Sequence, residues 1–284
     1  MFSYNNDDAC EKSTGIIRRC RYFMVFLLIL SVGGYSSLAF AYGEPLAGTY
    51  FENTRVIYSD EDRQGKSIVL NNNGNNTYLV QAYLSDSAPD SGMPGARINS
   101  FIVTPPLNRL EAHAKQAFRV LRIGGDFPTN RESLFYLTVN LIPSENAPEQ
   151  EDKNSKIKFL SALAIKVFYR PEALNKAGAI REAAAKIKAV IRGDSLVLSN
   201  PTPYWITFRT LSVEGIALPG NSLAQMLPPF GQQVWTVPGG LKGSGAVSVA
   251  WRAITETGFD TDIMTANAVR LPSVTETKGN LREQ

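Results

Sequence analysis

The sequence predicts an all-β protein made of two β-sandwich domains, the first of immunoglobulin type. Short runs rich in branched and aromatic residues recur along the chain, and turn signals such as Asn71–Asn76 separate them. About seven such runs fall within little more than a hundred residues, a density typical of an immunoglobulin sandwich. A second, shorter series of strand-like runs follows beyond residue 190 and predicts the second sandwich.

Residues 1–41 have the layout of a secretory signal peptide. Arg18, Arg19 and Arg21 precede the apolar run Phe23–Val32, and Ala39–Ala41 fits a small-x-small cleavage site. The apolar run is shorter than the roughly 20 residues of a membrane span, so we expect no stable membrane insertion after cleavage. A different start or an uncleaved anchor is the alternative.

Cleavage after residue 41 would leave 284 − 41 = 243 residues, enough for two domains of ordinary size. Both cysteines, Cys10 and Cys20, would be lost with the leader, so each domain must be held together by its apolar core. Lysines and arginines would then exceed acidic residues by 25 − 23 = 2, a balance that gives no reason to expect nucleic-acid binding.

The first domain is expected over residues 42–171. Thr104-Pro105-Pro106 places two prolines beside a strand, which predicts an edge strand or a cis peptide. The expected strands are Arg55–Tyr58, Ser67–Leu70, Tyr78–Leu84, Phe101–Thr104, Ala117–Ile123, Leu134–Leu141 and Lys156–Tyr169.

The second domain is expected over residues 172–272, followed by a polar tail at 273–284. Ala179–Val190 has helical propensity, but we interpret it as a linker with an irregular or short extended entry to this domain. The expected strands are Leu196–Leu198, Trp205–Leu211, Gln233–Val237 and Val247–Ile254.

The run Ile157–Pro171 is the most informative segment, because Lys166 lies within a mostly apolar strand. A buried cation is costly unless it meets an anion. Lys166 is therefore either a surface charge on an edge strand or half of an anion-binding site. The polar stretch 144–155 before the strand predicts a loop.

Little in the chain indicates catalysis. His113 is the single histidine and follows Leu110-Glu111 in a turn-like stretch, where a solvated turn residue is the simplest interpretation. Without a mature cysteine, a cysteine–histidine nucleophile is excluded, and one histidine excludes a multi-histidine zinc site. We expect no enzyme, no metal and no cofactor.

Several motifs, in order and spread over nearly the whole mature chain, resemble one family. They are Thr54–Tyr58, Thr104–Pro106 with Arg109-Leu110, Phe127-Pro128 with Arg131–Tyr136, Ile165–Pro171, Asn200–Tyr204 and Leu227–Pro229. The ordered set resembles the periplasmic pilus chaperones of the chaperone–usher pathway, the PapD-like family.

The resemblance implies two immunoglobulin-like domains at an angle, with a cleft between them. It implies a non-enzymatic periplasmic chaperone that lends a strand to pilus subunits, caps their open groove and delivers them to an outer-membrane usher. A self-capping dimer through the same strand is left open.

The strand to be lent is expected at about 156–170. By pattern alone, its two apolar faces fit either an edge strand or a fully buried central strand. With the resemblance, Ile157 and Phe159 become the residues inserted into the subunit, and Leu163 is a weaker candidate. Ser161 departs from the family, which often has a larger apolar residue there.

Five further residues match the family by resemblance. Arg55 and Lys166 match the two cleft cations that bind the C-terminal carboxylate of the subunit. Glu132, Arg170 and Glu256 match a charged trio at the domain interface, although the family commonly has aspartate at the position of Glu256.

The moderate loop at 144–155 and the lack of a mature cysteine resemble the short-loop subclass of the family, which typically serves rod-like adhesive pili.

Two other hypotheses belong to different classes. A two-sandwich fimbrial subunit or adhesin would need an N-terminal donor extension of alternating apolar residues, which Tyr42–Thr49 lacks. An exported carbohydrate-acting enzyme is disfavoured by the poor set of catalytic residues.

Overall fold

The computed structural model describes residues 48–89, 95–144, 161–241 and 245–271. Almost every regular element in these ranges is a β-strand, and the strands form two domains. The predicted signal peptide 1–41, most of the predicted loop 144–155, the residues Ile157 and Phe159, and the predicted tail 273–284 lie outside the described residues. No helix in the described ranges is long and apolar enough to cross a bilayer.

The first domain is a sandwich of a four-stranded sheet, β1-β3-β7-β5, and a five-stranded sheet, β2-β9-β8-β4-β6. The strands are β1 (Thr49–Phe51), β2 (Arg55–Ser59), β3 (Lys66–Asn72), β4 (Tyr78–Ser85), β5 (Phe101–Thr104), β6 (Leu107–Leu110), β7 (Lys115–Arg122), β8 (Ser133–Pro143) and β9 (Ser161–Arg170).

Alternation of apolar and polar residues explains these strands. In β7, Phe118 and Val120 are fully buried while Ala117 and Arg119 face solvent, as expected when successive side chains point to opposite faces. Buried residues from both sheets form one core. β5 lies at the edge of its sheet, and the Thr104–Pro105 peptide bond that follows it is cis.

The second domain forms one continuous hydrogen-bonded sheet in the order β13-β12-β15-β16-β10-β11-β14, around a core that includes Trp235 and Trp251. Parallel pairing of β10 with β16 joins its two antiparallel halves. The strands are β10 (Lys188–Arg192), β11 (Ser195–Ser199), β12 (Phe208–Val213), β13 (Ile216–Ala217), β14 (Gln232–Thr236), β15 (Val247–Ala253) and β16 (Met264–Leu271).

The expectation of a linker over Ala179–Val190 is wrong. Helix α1 spans Ala179–Ala184, and β10 follows it. The helix forms because its alanines have high propensity and because Ile180, Ala183 and Ala184 are buried in the second core. Trp251 Nε1 donates to the carbonyl of Ala184 at 3.2 Å, which satisfies one terminal acceptor of the helix.

The other strand predictions differ from the structure mainly at their ends and in the shortest elements. The strand expected from Trp205 begins at Phe208, because the backbone at Trp205 bonds to Glu132 of the first domain. The strands not predicted are β1, β6, β10, β13 and β16, most of which are short or carry few large apolar residues.

Candidate functional site

Arg55 and Lys166 are partners in the register of a sheet. β2 pairs in parallel with the second half of β9, from Arg55 opposite Lys166 to Ser59 opposite Arg170. Neighbouring strands lie about 4.8 Å apart, so the backbone holds two cationic residues side by side, although they are far apart in the sequence.

Arg55 is buried, with 8% of its surface exposed. Its Nη1 donates to the carbonyl of Ile254 in the second domain at 3.0 Å, and its guanidinium lies 5.7 Å from the ring centroid of Phe168. Its Nε is buried and has no acceptor among the described residues. A buried donor without an acceptor is costly, so the site favours a ligand that supplies one.

Lys166 is half-buried, and no acceptor or carboxylate within bonding distance of Nζ occurs in the described ranges. Burial, and then the charge of Arg55, lower the pKa of Lys166 to about 8. Burial is also the main cause that lowers the pKa of Arg55 to about 10. For Arg55 the charges of Glu132 and Glu256 oppose the effect of burial, whereas no charge that opposes it acts on Lys166. A bound anion would favour the charged forms of both side chains.

The first half of β9 has an open edge. β9 pairs with β8 from Ser161 to Tyr169, but β2 covers only Lys166–Arg170. Ser161–Ile165 therefore have no strand on that side among the described residues. We call Ser161–Ile165 the open edge. It exposes backbone groups that can pair with an added strand.

Leu163 lies on the open edge but faces inward. It and Ile165 are partly buried against the core of the first domain, on the same face as Val167. This packing leaves less of Leu163 for a partner, so its insertion into a subunit stays a prediction. Ile157 and Phe159 lie outside the described residues, so their predicted insertion also stays a prediction.

The three predicted interface residues do meet. Arg170 Nε lies 2.7 Å from Glu132 Oε1, with 1% of each side chain exposed, and Arg170 Nη1 lies 3.5 Å from Glu256 Oε1. Burial raises the pKa of Glu132, and the charge of Arg170 opposes that effect. Arg170 Nη2 is buried without an acceptor in the described part of the chain.

Both carboxylates of this network also bind backbone. Glu132 Oε2 accepts from the amide of Trp205 at 2.8 Å, and the amide of Glu132 donates to the carbonyl of Pro203 at 2.9 Å. Glu256 Oε1 accepts from the amide of Ile180 at 3.0 Å, in the first turn of α1. The network therefore joins the end of β9 to two separate segments of the second domain.

A hairpin turn of the second domain, Ile254–Asp260, connects the two groups of charged residues, and we call it the cleft hairpin. Its Ile254 carbonyl binds Arg55, and its Glu256 binds Arg170. Gly258 has φ +87°, and a Cβ there would lie 2.8 Å from Thr54 Oγ1. The tight approach of the cleft hairpin to the first domain thus depends on glycine.

The cleft hairpin was not predicted as part of the site. Its turn signal, Thr257-Gly258, is visible in the sequence, but nothing local indicates that it approaches β2.

A cavity of about 710 Å³ lies beside the network, between β2, the segment after β9 and the cleft hairpin. Its lining carries both signs of charge, including Glu61, Lys66 and Lys176. Lys66 Nζ already lies 3.0 Å from Asp62 Oδ1. The cavity therefore has no evident preference for an anion, unlike the Arg55–Lys166 pair.

His113 lies on an exposed turn with φ +57°, and its Nε2 is 2.9 Å from Asn75 Oδ1. This position agrees with a solvated turn residue. The described residues contain no cluster of three or more side chains arranged to hold a metal ion.

Comparison with known proteins identifies the family of both domains. The family described as "Pili and flagellar-assembly chaperone, PapD N-terminal domain" matches residues 48–175. The family described as "Pili assembly chaperone PapD, C-terminal domain" matches residues 182–264. The two matches cover both domains described above.

Individual relatives are also chaperone proteins. The probable fimbrial chaperone protein ElfD of Escherichia coli O157:H7 is 32% identical over 208 residues, covering 73% of this chain and 82% of ElfD. The chaperone protein FimC of E. coli K12 is 30% identical over 243 residues, covering 85% of this chain and 93% of FimC.

A solved structure is also similar. A chain from the complex of the Salmonella enterica SafA pilin with the SafB chaperone aligns with a TM-score of 0.64 at 29% identity, covering 78% of this chain and 97% of that chain. On the combined evidence of sequence and structure, the chain belongs to the PapD-like family of fimbrial and pilus assembly chaperones.

Proposed function

We propose that this chaperone binds pilus subunits in the periplasm by donor-strand complementation and delivers them to an outer-membrane usher. Residues 1–41 direct export and are removed. β9 and the residues before it fill the subunit's open groove, while Arg55 and Lys166 bind its C-terminal carboxylate. Release needs no nucleotide, because the next subunit supplies the final strand.

One observation carries the proposal: the open edge of β9 ends at the Arg55–Lys166 pair. A strand added along Ser161–Ile165 would lie in line with β2. If it runs parallel to β9, its C-terminal end meets Arg55, the first residue of β2. A carboxylate there would accept charge-assisted hydrogen bonds, which are roughly twice as strong as neutral ones.

The insertion itself is assigned to Ile157 and Phe159. Both have the parity of the inward face of β9, so they fit alternate pockets of a groove that continues that face. Ser161 would fill its pocket poorly. The Glu132–Arg170–Glu256 network would hold the two domains in the orientation that presents this edge.

Further proposals rest on the sequence. The domain limits are placed at 42–171 and 172–272, and the chain is assigned to the short-loop subclass. In the absence of a subunit, the open edge could pair with a second copy and form a self-capping dimer, since unpaired edges promote such contacts.

The decisive test is the double variant Arg55→Ala/Lys166→Ala, expressed with the subunits and purified from the periplasm. We expect a folded protein that no longer co-purifies with them, because the carboxylate loses both cations. The matched control is Arg109→Ala/Lys115→Ala, which removes an exposed arginine and an exposed lysine of the same domain. The control should retain the complex.

Mass spectrometry of the co-purified partner identifies the subunit. Equal complex yields from both double variants would overturn the carboxylate clamp. Retained binding by Ile157→Asp/Phe159→Asp would overturn the assignment of the inserted residues.

A further inference from the structure

Arg209 occupies an irregular position in the second domain, next to the cleft hairpin. The register of β12 against β15 shifts between Phe208, which faces Ala253, and Thr210, which faces Arg252. Arg209 is the extra residue of this bulge. Bulges redirect side chains and are frequent beside functional sites.

The bulge directs Arg209 to the cleft hairpin. Arg209 Nε lies 2.9 Å from Asp260 Oδ1. Asp260 is bridged to Ile254 across the hairpin, and the Ile254 carbonyl holds Arg55 Nη1. Contacts thus run continuously from Arg209 to Arg55.

The charge of Arg209 also acts on Arg55. After burial, the charges around Arg55 act on its pKa in both directions: Glu132 raises it, whereas Arg209 lowers it. The charge of Arg209 therefore reaches Arg55.

The bond between Arg209 and Asp260 is easily exchanged. The two side chains are 50% and 37% exposed, and exposed ion pairs contribute only about 0–1 kcal/mol. An anion bound at Arg55 would lie in a less hydrated environment and could compete for Arg209 at small cost.

We propose that Arg209 is a third cation for the C-terminal carboxylate of the subunit, held by Asp260 in the free chaperone and released to the carboxylate on binding. This inference rests on the proposed function of Arg55 and Lys166. It makes Arg209 a specificity-determining residue contributed by the second domain, and Asp260 its competitor.

The test uses the full chaperone and two synthetic peptides of the last 15 or so residues of the co-purified subunit, one with a free carboxylate and one with an amide. Arg209→Ala should weaken binding of the carboxylate peptide about 3- to 10-fold and leave the amide peptide unchanged. Asp260→Asn should tighten binding of the carboxylate peptide about 2- to 5-fold, because it frees Arg209.

Arg181→Ala and Asp262→Asn are matched controls, since they break another exposed arginine–aspartate pair of the same domain, 3.2 Å apart. Both should bind as the unmodified protein does. The opposite signs expected for Arg209→Ala and Asp260→Asn cannot arise from a general loss of folding.

The inference is overturned if Arg209→Ala binds both peptides normally, or if Asp260→Asn does not tighten binding. Failure of the proposed function looks different, because Arg55→Ala/Lys166→Ala would then still prefer the carboxylate peptide.

Discussion

Lys166 and Arg170 lie four residues apart on the same face of β9, yet their surroundings are opposite. Arg170 is bound by two carboxylates, one at 2.7 Å and fully buried. Lys166 has a cation as its register partner, and no counter-charge pairs with it in the described residues. The compensated charge joins the domains, whereas the uncompensated one is available to a ligand.

The comparison has an energetic side. Removing one partner of a buried ion pair leaves the other charge without a counter-charge and destabilises the protein. Removing a buried charge that has no counter-charge instead removes its desolvation penalty. Substitutions at the two positions should therefore change stability in opposite directions.

The largest effect is expected for Glu132→Ala, which leaves Arg170 with the longer ion pair to Glu256 in place of two carboxylates. We expect the free energy of unfolding to fall by about 3–5 kcal/mol, measured by urea denaturation. Glu111→Ala is the control, because its 2.6 Å pair with Arg109 is exposed and should be worth less than about 1 kcal/mol. Similar losses of stability in the two variants would contradict the claim that the buried pair stabilises the protein more than the exposed one.

The next effect tests the cleft hairpin, which contacts both groups of charges. Gly258→Ala combines a left-handed backbone with a close approach to Thr54, and we expect a loss of about 2 kcal/mol. Gly178→Ala is the control, since Gly178 has φ +73° but open space around its missing Cβ, and it should lose about 1 kcal/mol. Equal losses would show that the approach to Thr54 is unimportant.

A smaller change of opposite sign is expected for Lys166→Met. The free energy of unfolding of the subunit-free protein should rise by about 1–2 kcal/mol, because a half-buried charge without a counter-charge is replaced by an apolar chain. Subunit binding should be lost at the same time. Lys188→Met, at an exposed strand position, should change neither, and a destabilised Lys166→Met protein would contradict the argument.

The smallest effect follows from removing the same charge by pH. Lys166 has a pKa of about 8 in the folded protein, below its ordinary value of 10.5. Between these values the unfolded chain binds more protons, so stability should rise with pH from about 8 to 10. The affinity for subunit should fall over the same range, since the carboxylate needs protonated Lys166.

Urea denaturation and peptide titration at pH 7 to 10 measure both trends. Lys166→Met should remove the component that Lys166 contributes to the stability trend. An unchanged slope in that variant would assign the effect to other groups.

Much of the fold could be predicted because its signal is local. Alternation identified β4, β5 and β7 within a few residues, and the family resemblance, which the comparisons confirm, placed Arg55, Lys166, Glu132, Arg170 and Glu256. The structure brings Arg55 next to Lys166 and joins the other three, although their functional roles remain proposals.

What could not be predicted depends on contacts between distant residues. Helix α1 forms where its alanines meet the second core, a packing that propensity alone does not reveal. The bulge at Arg209 and the second bond of Glu256, to the amide of Ile180, arise from pairing across many residues. The sequence contains all of these residues, but it does not show which of them become neighbours in the fold.

The open edge of β9 and the cation pair at its end would together fix the register of an added strand. A strand advances about 6.6 Å for every two residues, and a slip of one residue turns every side chain to the other face. Under the proposed function, a subunit whose terminus binds Lys166 would therefore dock in one alignment only. The number of residues between a position and the subunit's C-terminus would then determine which residue of β9 that position faces.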